Sequence, residues 1–174
     1  MTLVLTLYIL DAAALFSQWT LQNPDGSLLT TSSVLNELVN RPSQERAQHL
    51  ISIGRLRIET PGPKHVKAVK KAAEHTGDLG VLSTIDVELV ALALQEKERS
   101  RKVTIVSSDL SVLNTASVLG IGIKDPRERM KHLVRWRLRC PACGHEEDFV
   151  AVHLECPVCG TEMKRKAGDK RNVR

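Results

Sequence analysis

Val103-Thr104-Ile105-Val106-Ser107-Ser108-Asp109 is the stretch on which the fold turns. Its first four residues are apolar or β-branched, which gives the length and composition of a buried strand. Small polar residues end it, residues 109–119 read as a helix, and Ile121 to Ile123 as a last short strand. Parallel neighbours need such a crossover, so this segment predicts a parallel sheet covered by helices.

The same alternation continues toward the N-terminus. Leu3 to Leu10 is a continuous apolar run without clean alternation, as expected of a strand buried on both faces. A helix follows Asp11 and ends before the turn-like Asn23-Pro24-Asp25-Gly26. Thr30-Thr31-Ser32-Ser33 offers several N-caps for a helix through Asn40, and another is expected over 43–53. Leu56 to Glu59 reads as a short strand, and Pro63 to His75 as a helix ended by Gly77. Ser83-Thr84-Ile85-Asp86 opens the strongest helix, which runs to about Glu98. Its first half is apolar on nearly every side and should be buried. Residues 1–124 therefore form one α/β domain with a mostly parallel central sheet.

The composition divides the rest of the chain. Of 174 residues, 42% are hydrophobic and 26% charged, a profile that excludes a disordered protein. The aromatics are few (Tyr8, Phe16, Trp19, Trp136 and Phe149), which argues against a module that stacks bases on rows of rings. The net charge of +5 is unevenly placed: residues 1–123 are balanced, 124–139 carry +5, 140–163 carry −5 and 164–174 carry +5. Residues 125–139 are thus expected to be a basic linker or helix, 140–163 a small insert, and 164–174 a basic tail. No Lys or Arg precedes Arg41, so the apolar start does not read as a secretory leader. No run approaches the ~20 apolar residues of a membrane span. A cytoplasmic location without a membrane partner is expected.

Cys140-Pro-Ala-Cys143-Gly and Cys156-Pro-Val-Cys159-Gly are two copies of one pattern. Two residues between cysteines let a tight turn aim both thiolates at one ion, and two such turns complete a tetrahedral shell. The insert is too short to bury a core, so one structural Zn2+ is expected to supply much of its folding free energy. A redox pair or a disulfide would not call for the matched Pro and Gly. His145 and His153 are left outside the ligand set.

Four acids stand in suggestive places. Asp11 ends the first strand and Asp109 follows the Val103–Val106 strand, both where ligands gather in parallel sheets. Glu37 lies in the second helix and Asp86 at the start of the apolar one. Each also has an ordinary reading. Asp11 and Asp109 suit N-caps, Ser83 and Asp86 a capping box, and Glu37 a solvated helix surface. Spacing alone does not bring the four together.

Leu10-Asp11 after an opening strand, Ser33-Val34-Leu35-Asn36-Glu37-Leu38, the run from Leu82 to Ala93, and Val106-Ser107-Ser108-Asp109 together resemble a PIN domain in order and spacing. With the four-cysteine ribbon behind it, the chain is similar to the archaeal Nob-one (NIN-one-binding) family of ribosome-maturation endonucleases. The stretch from Asp109 through Asn114 to Ala116, and the basic segment through Trp136 into Cys140, add to the likeness. The resemblance implies a three-layer PIN-like fold followed by a zinc ribbon. It implies that Asp11, Glu37, Asp86 and Asp109 hold one or two Mg2+ or Mn2+ ions and that Ser107 orients the site. Hard cations favour oxygen ligands, and four gathered carboxylates repel one another without them. Two departures stand out: Ser108 where the family often has an acid, and Leu110 where it often has an aromatic. Glu88 is expected to be solvated.

Phosphate neutralisation dominates RNA affinity, so the basic segments are the natural contacts. Arg135, Arg137 and Arg139, with Lys164, Arg165 and Lys166, are expected to dock a structured RNA while the PIN site cuts a nearby single strand. Residues 167–174 read equally well as a solvated extension, and Trp136 reads as packing at the junction between the modules in preference to stacking on a base. The resemblance implies maturation of the 3′ end of small-subunit (16S-type) pre-rRNA, leaving 5′-phosphate and 3′-hydroxyl ends. The implied partners are the pre-rRNA, the small-subunit precursor and other assembly factors. The rival readings are a toxin-type PIN ribonuclease acting on transfer or messenger RNA, and a non-catalytic RNA-binding assembly factor.

Overall fold

In the computed structural model, which describes residues 6–23, 25–99, 102–130, 132–149 and 154–172, β1 (Leu7–Leu10) lies at the centre of a five-stranded sheet. Residues 3–5 of the predicted first strand, Pro24 of the predicted turn and His153 fall outside the described residues. On one side of β1 come β2 (Ser27–Thr30) and β3 (Leu56–Ile58). On the other come β4 (Val103–Val106) and β5 (Gly122–Lys124), giving the order β3-β2-β1-β4-β5. Every neighbouring pair is parallel. The expected mostly parallel sheet is thus parallel throughout.

The helices form two groups. α1 (Ala12–Phe16), α2 (Trp19–Gln22) and α4 (Arg41–Ser52) lie in one, with α4 packed on β3. α5 (Pro63–Thr76), α6 (Thr84–Glu98) and α7 (Leu110–Val118) pack on one another, and α6 also covers β1 and β4. Between them α6 is buried at Val87, Leu89, Val90, Ala91, Leu92 and Ala93, which accounts for its apolar circumference. α3 (Ser32–Asn36) is short and is capped by the Thr31 hydroxyl.

Two local expectations are corrected. Ser27–Leu29, left unassigned between the expected turn and the expected caps from Thr30, form with Thr30 the strand β2 inside the sheet. Its two leucines are fully buried, and the Thr30 hydroxyl donates to the Leu10 carbonyl at 2.8 Å, which lets a polar residue sit inside the sheet. The helix expected through Asn40 ends at Asn36, and Asn40 instead caps α4.

The basic segments are also regular. β6 (His132–Arg139) pairs antiparallel with β7 (Glu146–Asp148) on one side and with β8 (Lys164–Asn172) on the other. The expected linker or helix over 125–139 is therefore mostly a strand. The expected basic tail is its partner: the insert returns the chain beside β6, and the ladder satisfies backbone groups that a free tail would leave to water.

Candidate active site and thiolate centre

The chain runs from β1 through β2 to β3 on one side of the sheet, then crosses to β4 and β5 on the other. The order reverses between β1 and β4, and ligands of open parallel sheets gather outside the strand ends at such a reversal. Asp11 follows Leu10, whose partner in the ladder is Val106, and Asp11 N–H donates to the Val106 carbonyl at 3.2 Å. Asp11 and Asp109 thereby leave adjacent strands at the same end.

Backbone and hydroxyl groups fix these side chains. Asp11 Oδ1 accepts from Ala12 N–H at 2.6 Å, and its Oδ2 accepts from the buried Ser107 hydroxyl at 2.6 Å. Ser107 Oγ in turn accepts from Asp109 N–H at 3.0 Å. Ser107 thus links the Asp11 carboxylate to the Asp109 backbone. Asp109 caps α7 through Ser111 N–H at 2.7 Å. Asp86 accepts from Ser83 N–H at 2.8 Å, while its own N–H donates to Ser83 Oγ at 3.1 Å. The capping readings of Asp11, Asp86 and Asp109 therefore hold: each accepts from backbone N–H groups at a helix start, where negative charge is favoured. Glu37 terminates α3.

Electrostatics couples Asp11 to Asp86 and Asp109, and Glu37 to Asp11 and Asp86. Burial raises the Asp11 carboxyl above its ordinary value, against the Ser107 and Ala12 hydrogen bonds, and the charges of Asp86 and Asp109 raise it further. Glu37 is likewise pushed up by burial, then by Asp11 and Asp86. Like charges held close by a rigid backbone favour a proton or a cation between them. Among the described residues no three of these carboxylates bring oxygens within 4.8 Å of one another. Oxygen donors of this kind suit a hard divalent ion that keeps some of its water.

Glu88 is not solvated as expected. The Ser33 hydroxyl donates to Glu88 Oε2 at 2.6 Å, joining α3, which Glu37 terminates, to α6, which carries Asp86. Fifty-five residues separate the pair, so nothing local in the sequence signals it.

The thiolate centre is built locally. Cys140, Cys143, Cys156 and Cys159 place their sulfurs within 4.8 Å of one another, with Cys140–Cys159 and Cys143–Cys156 at 3.5 Å. Tetrahedral bonds of about 2.3 Å require sulfurs about 3.8 Å apart, so the quartet could hold a zinc ion. The two turns repeat in detail: Gly144 and Gly160 donate to the Cys140 and Cys156 carbonyls, and both adopt positive φ. The side chain and amide of Thr161 lower the Cys159 thiol to about 6. The His145 amide acts the same way on Cys143, but burial and neighbouring thiols push that thiol up to about 12. His145 lies beside Glu147, outside the quartet, as expected.

The register of β6 and β8 sorts the predicted RNA contacts. Arg137 lies opposite Lys166 and Arg139 opposite Lys164, and these residues share a face with Arg135. Two acids of β7 pair with that face, Asp148 at 3.0 Å from Arg135 and Glu146 at 3.1 Å from Lys166. Such exposed pairs are weak and exchangeable, and five bases still outnumber two acids. Arg165 is the correction. It lies on the opposite face, its guanidinium 4.0 Å over the Trp136 ring and 2.6 Å from Asp78 Oδ1. Asp78 is fully buried and also accepts from Asn114 Nδ2 at 2.5 Å. Asn114 in turn grips both backbone groups of Val134. A buried carboxylate left unpaired is costly, which is why this arginine is held inside. Gly77, at φ +76°, leaves space for Trp136 and Phe149, either of which a Cβ would meet at 2.9 Å. Trp136 thus packs between the modules as expected.

The sequence that builds this parallel sheet is similar to those of known ribonucleases. The family described as the PIN domain of ribonuclease matches residues 8–95, a span that includes Asp11, Glu37 and Asp86, and the chain belongs to that family. Among its relatives is the Endoribonuclease Nob1 of Pyrococcus abyssi, 32% identical over 117 residues, which cover 67% of this chain and 70% of that protein. The Endoribonuclease Nob1 of Methanothermobacter thermautotrophicus is 30% identical over 78% of each chain. The Ribonuclease VapC1 of Thermoplasma acidophilum is 32% identical over 79% of this chain and 67% of its own. No helix among the described residues is long and apolar enough to cross a membrane.

Proposed function

We propose that this chain is a divalent-metal-dependent endoribonuclease that trims the 3′ end of small-subunit pre-rRNA, working in the cytoplasm on the small-subunit precursor with other assembly factors. The observation that carries the reading is the repulsion at the strand ends, of Asp86 and Asp109 on Asp11 and of Asp11 and Asp86 on Glu37, in a chain that also carries a basic sheet face. Asp11, Glu37, Asp86 and Asp109 hold one or two Mg2+ or Mn2+ ions, and the cysteine quartet holds Zn2+. The divalent ion supplies a water of lowered pKa and steadies charge at the leaving oxygen. The chain's own part is orientation. Ser107 holds the Asp11 carboxylate and the Asp109 backbone, and Ser33 and Glu88 keep α3 and α6 in register. The face of Arg135, Arg137, Arg139, Lys164 and Lys166 takes up phosphates of the structured RNA. The cut leaves 5′-phosphate and 3′-hydroxyl ends.

A second reading has its own support in the VapC relatives: a toxin-type nuclease for transfer or messenger RNA. The test is incubation with Mn2+ and an RNA spanning the rRNA 3′ junction, beside transfer RNA. Cutting at the junction is expected, reduced on the order of 10³-fold by Asp11→Asn or Asp86→Asn. Cutting that survives both substitutions defeats the mechanism, and cutting of transfer RNA alone selects the toxin reading. A chain that binds the RNA without cutting it under any metal is an assembly factor.

A further inference from the structure

A cavity of about 280 Å³ opens between the start of α7 and β6, immediately beside Asp109. We propose that it receives one base of the RNA strand next to the bond that is cut. The inference rests on the nuclease reading above and names how the strand is held there.

The lining has two chemistries. Leu110, Met130, Val134 and Trp136 supply apolar surface, and Arg129 and Lys170 supply positive charge. No carboxylate lines the cavity, although the acid cluster begins at the adjacent residue. A nucleotide has this division: a flat face that leaves water readily and a phosphate that needs a cation. The volume is just under the range of about 300–1,000 Å³ for ligand pockets, so it suits a piece of a chain more than a whole small molecule.

The wall is fixed before any ligand arrives. Asp125 accepts N–H groups from Arg127 at 2.8 Å, Arg129 at 2.7 Å and Met130 at 3.1 Å, folding residues 125–130 into a tight loop. Glu128 takes a φ of +52° within it, a conformation that such a loop has to enforce. Arg129 then donates to the Ser108 carbonyl, which sets its guanidinium beside the loop that presents Asp109. Among the described residues the Arg129 guanidinium shows no carboxylate partner, its bond being to the Ser108 carbonyl, and a guanidinium has donors left for a phosphate after one such bond. On the other side, Arg165 lies over the Trp136 ring and Asn114 grips the Val134 backbone, so β6 cannot drift from α7. Pre-organised walls lower the ordering cost of binding a flexible strand.

The test is equilibrium binding of the zinc-loaded full chain to a fluorescent RNA spanning the rRNA 3′ junction, read by anisotropy with no divalent ion added. One nucleotide at a time is replaced by an abasic one. Replacement at a single position near the junction is expected to weaken binding about fivefold to tenfold. Leu110→Trp fills the cavity from a half-exposed position, so folding is unaffected. It is expected to weaken intact RNA by a similar factor and to erase the penalty at that one position. Arg129→Ala is expected to weaken every RNA of the series alike. Penalties that multiply with Leu110→Trp at every position, or no sensitive position at all, overturn the proposal. Cutting is assayed separately with Mn2+ on the same RNA. Loss of the base-specific pattern with cutting intact defeats the pocket alone, and the pattern without cutting defeats the nuclease reading alone.

Discussion

The two candidate metal centres of this chain are opposites in construction. The thiolate quartet comes from two five-residue turns lying close together in the sequence, and each turn holds its own sulfurs through its own backbone. The carboxylate site draws on residues 11 to 109, and no segment of it is meaningful alone. The first centre buries little beyond Leu138, Met163 and two of the cysteines, so an ion held there would supply much of its folding free energy. The second is imposed by a large apolar core and persists whether or not its charges are content. Local sites are stabilised by their ligand, whereas sites assembled by a fold can afford repulsion.

Removing zinc is the most severe way to break that comparison. Chelation, or Cys156→Ser, should forfeit binding free energy of about 10 kcal/mol and unfold residues 140–163. Protease mapping should find cleavage in the ribbon while the five-stranded domain survives. Simultaneous loss of both would mean that the modules fold as one unit.

The bond between the modules gives the next largest effect. Arg165→Ala leaves Asp78 buried without its cation and is expected to cost about 3 kcal/mol in denaturant unfolding. Asp78→Asn with Arg165→Ala should recover part of that loss, since the buried charge is then gone. A loss below about 1 kcal/mol for Arg165→Ala would place the pair among ordinary surface bridges.

The pH dependence sharpens the contrast from the carboxylate side. Folding raises the Asp11 and Glu37 carboxyls above their ordinary 3.8 and 4.5. The folded state then binds protons more tightly than the unfolded one, so metal-free stability falls as pH rises from these values through the raised ones. Asp11→Asn should flatten that fall and stabilise the metal-free protein at neutral pH. Thermal melts across pH 4–8, with and without Mn2+, check it. A wild-type curve that rises through the same window would contradict the repulsion.

The smallest effect belongs to Ser33. Ser33→Ala removes the tie to Glu88 without touching a metal-holding acid, and a loss of about 10-fold in Mn2+ affinity is expected. Glu88→Gln, which can still accept from the hydroxyl, should retain most of the affinity. Equal losses in both would make Glu88 a direct ligand.

What the sequence determined by itself is the set of features with a short period. The apolar run of α6, the cap of α5 at Gly77 and the duplicated cysteine turns depend on residues a few positions apart, where propensity and spacing act directly. The acids were legible as candidates, and their family likeness as a PIN domain, but not their meeting, since the same residues serve equally well as caps. Only the tertiary structure decided the rest. It made Ser27–Thr30 a central strand because both its neighbours lie far away in the chain, at residues 7–10 and 56–58. It turned 132–139 and 164–172 into one ladder, and strand alternation then sent Arg165 inward while Lys164 and Lys166 stayed out. Side-chain direction in a sheet is set by register, and register is a property of two segments that no single stretch of sequence contains.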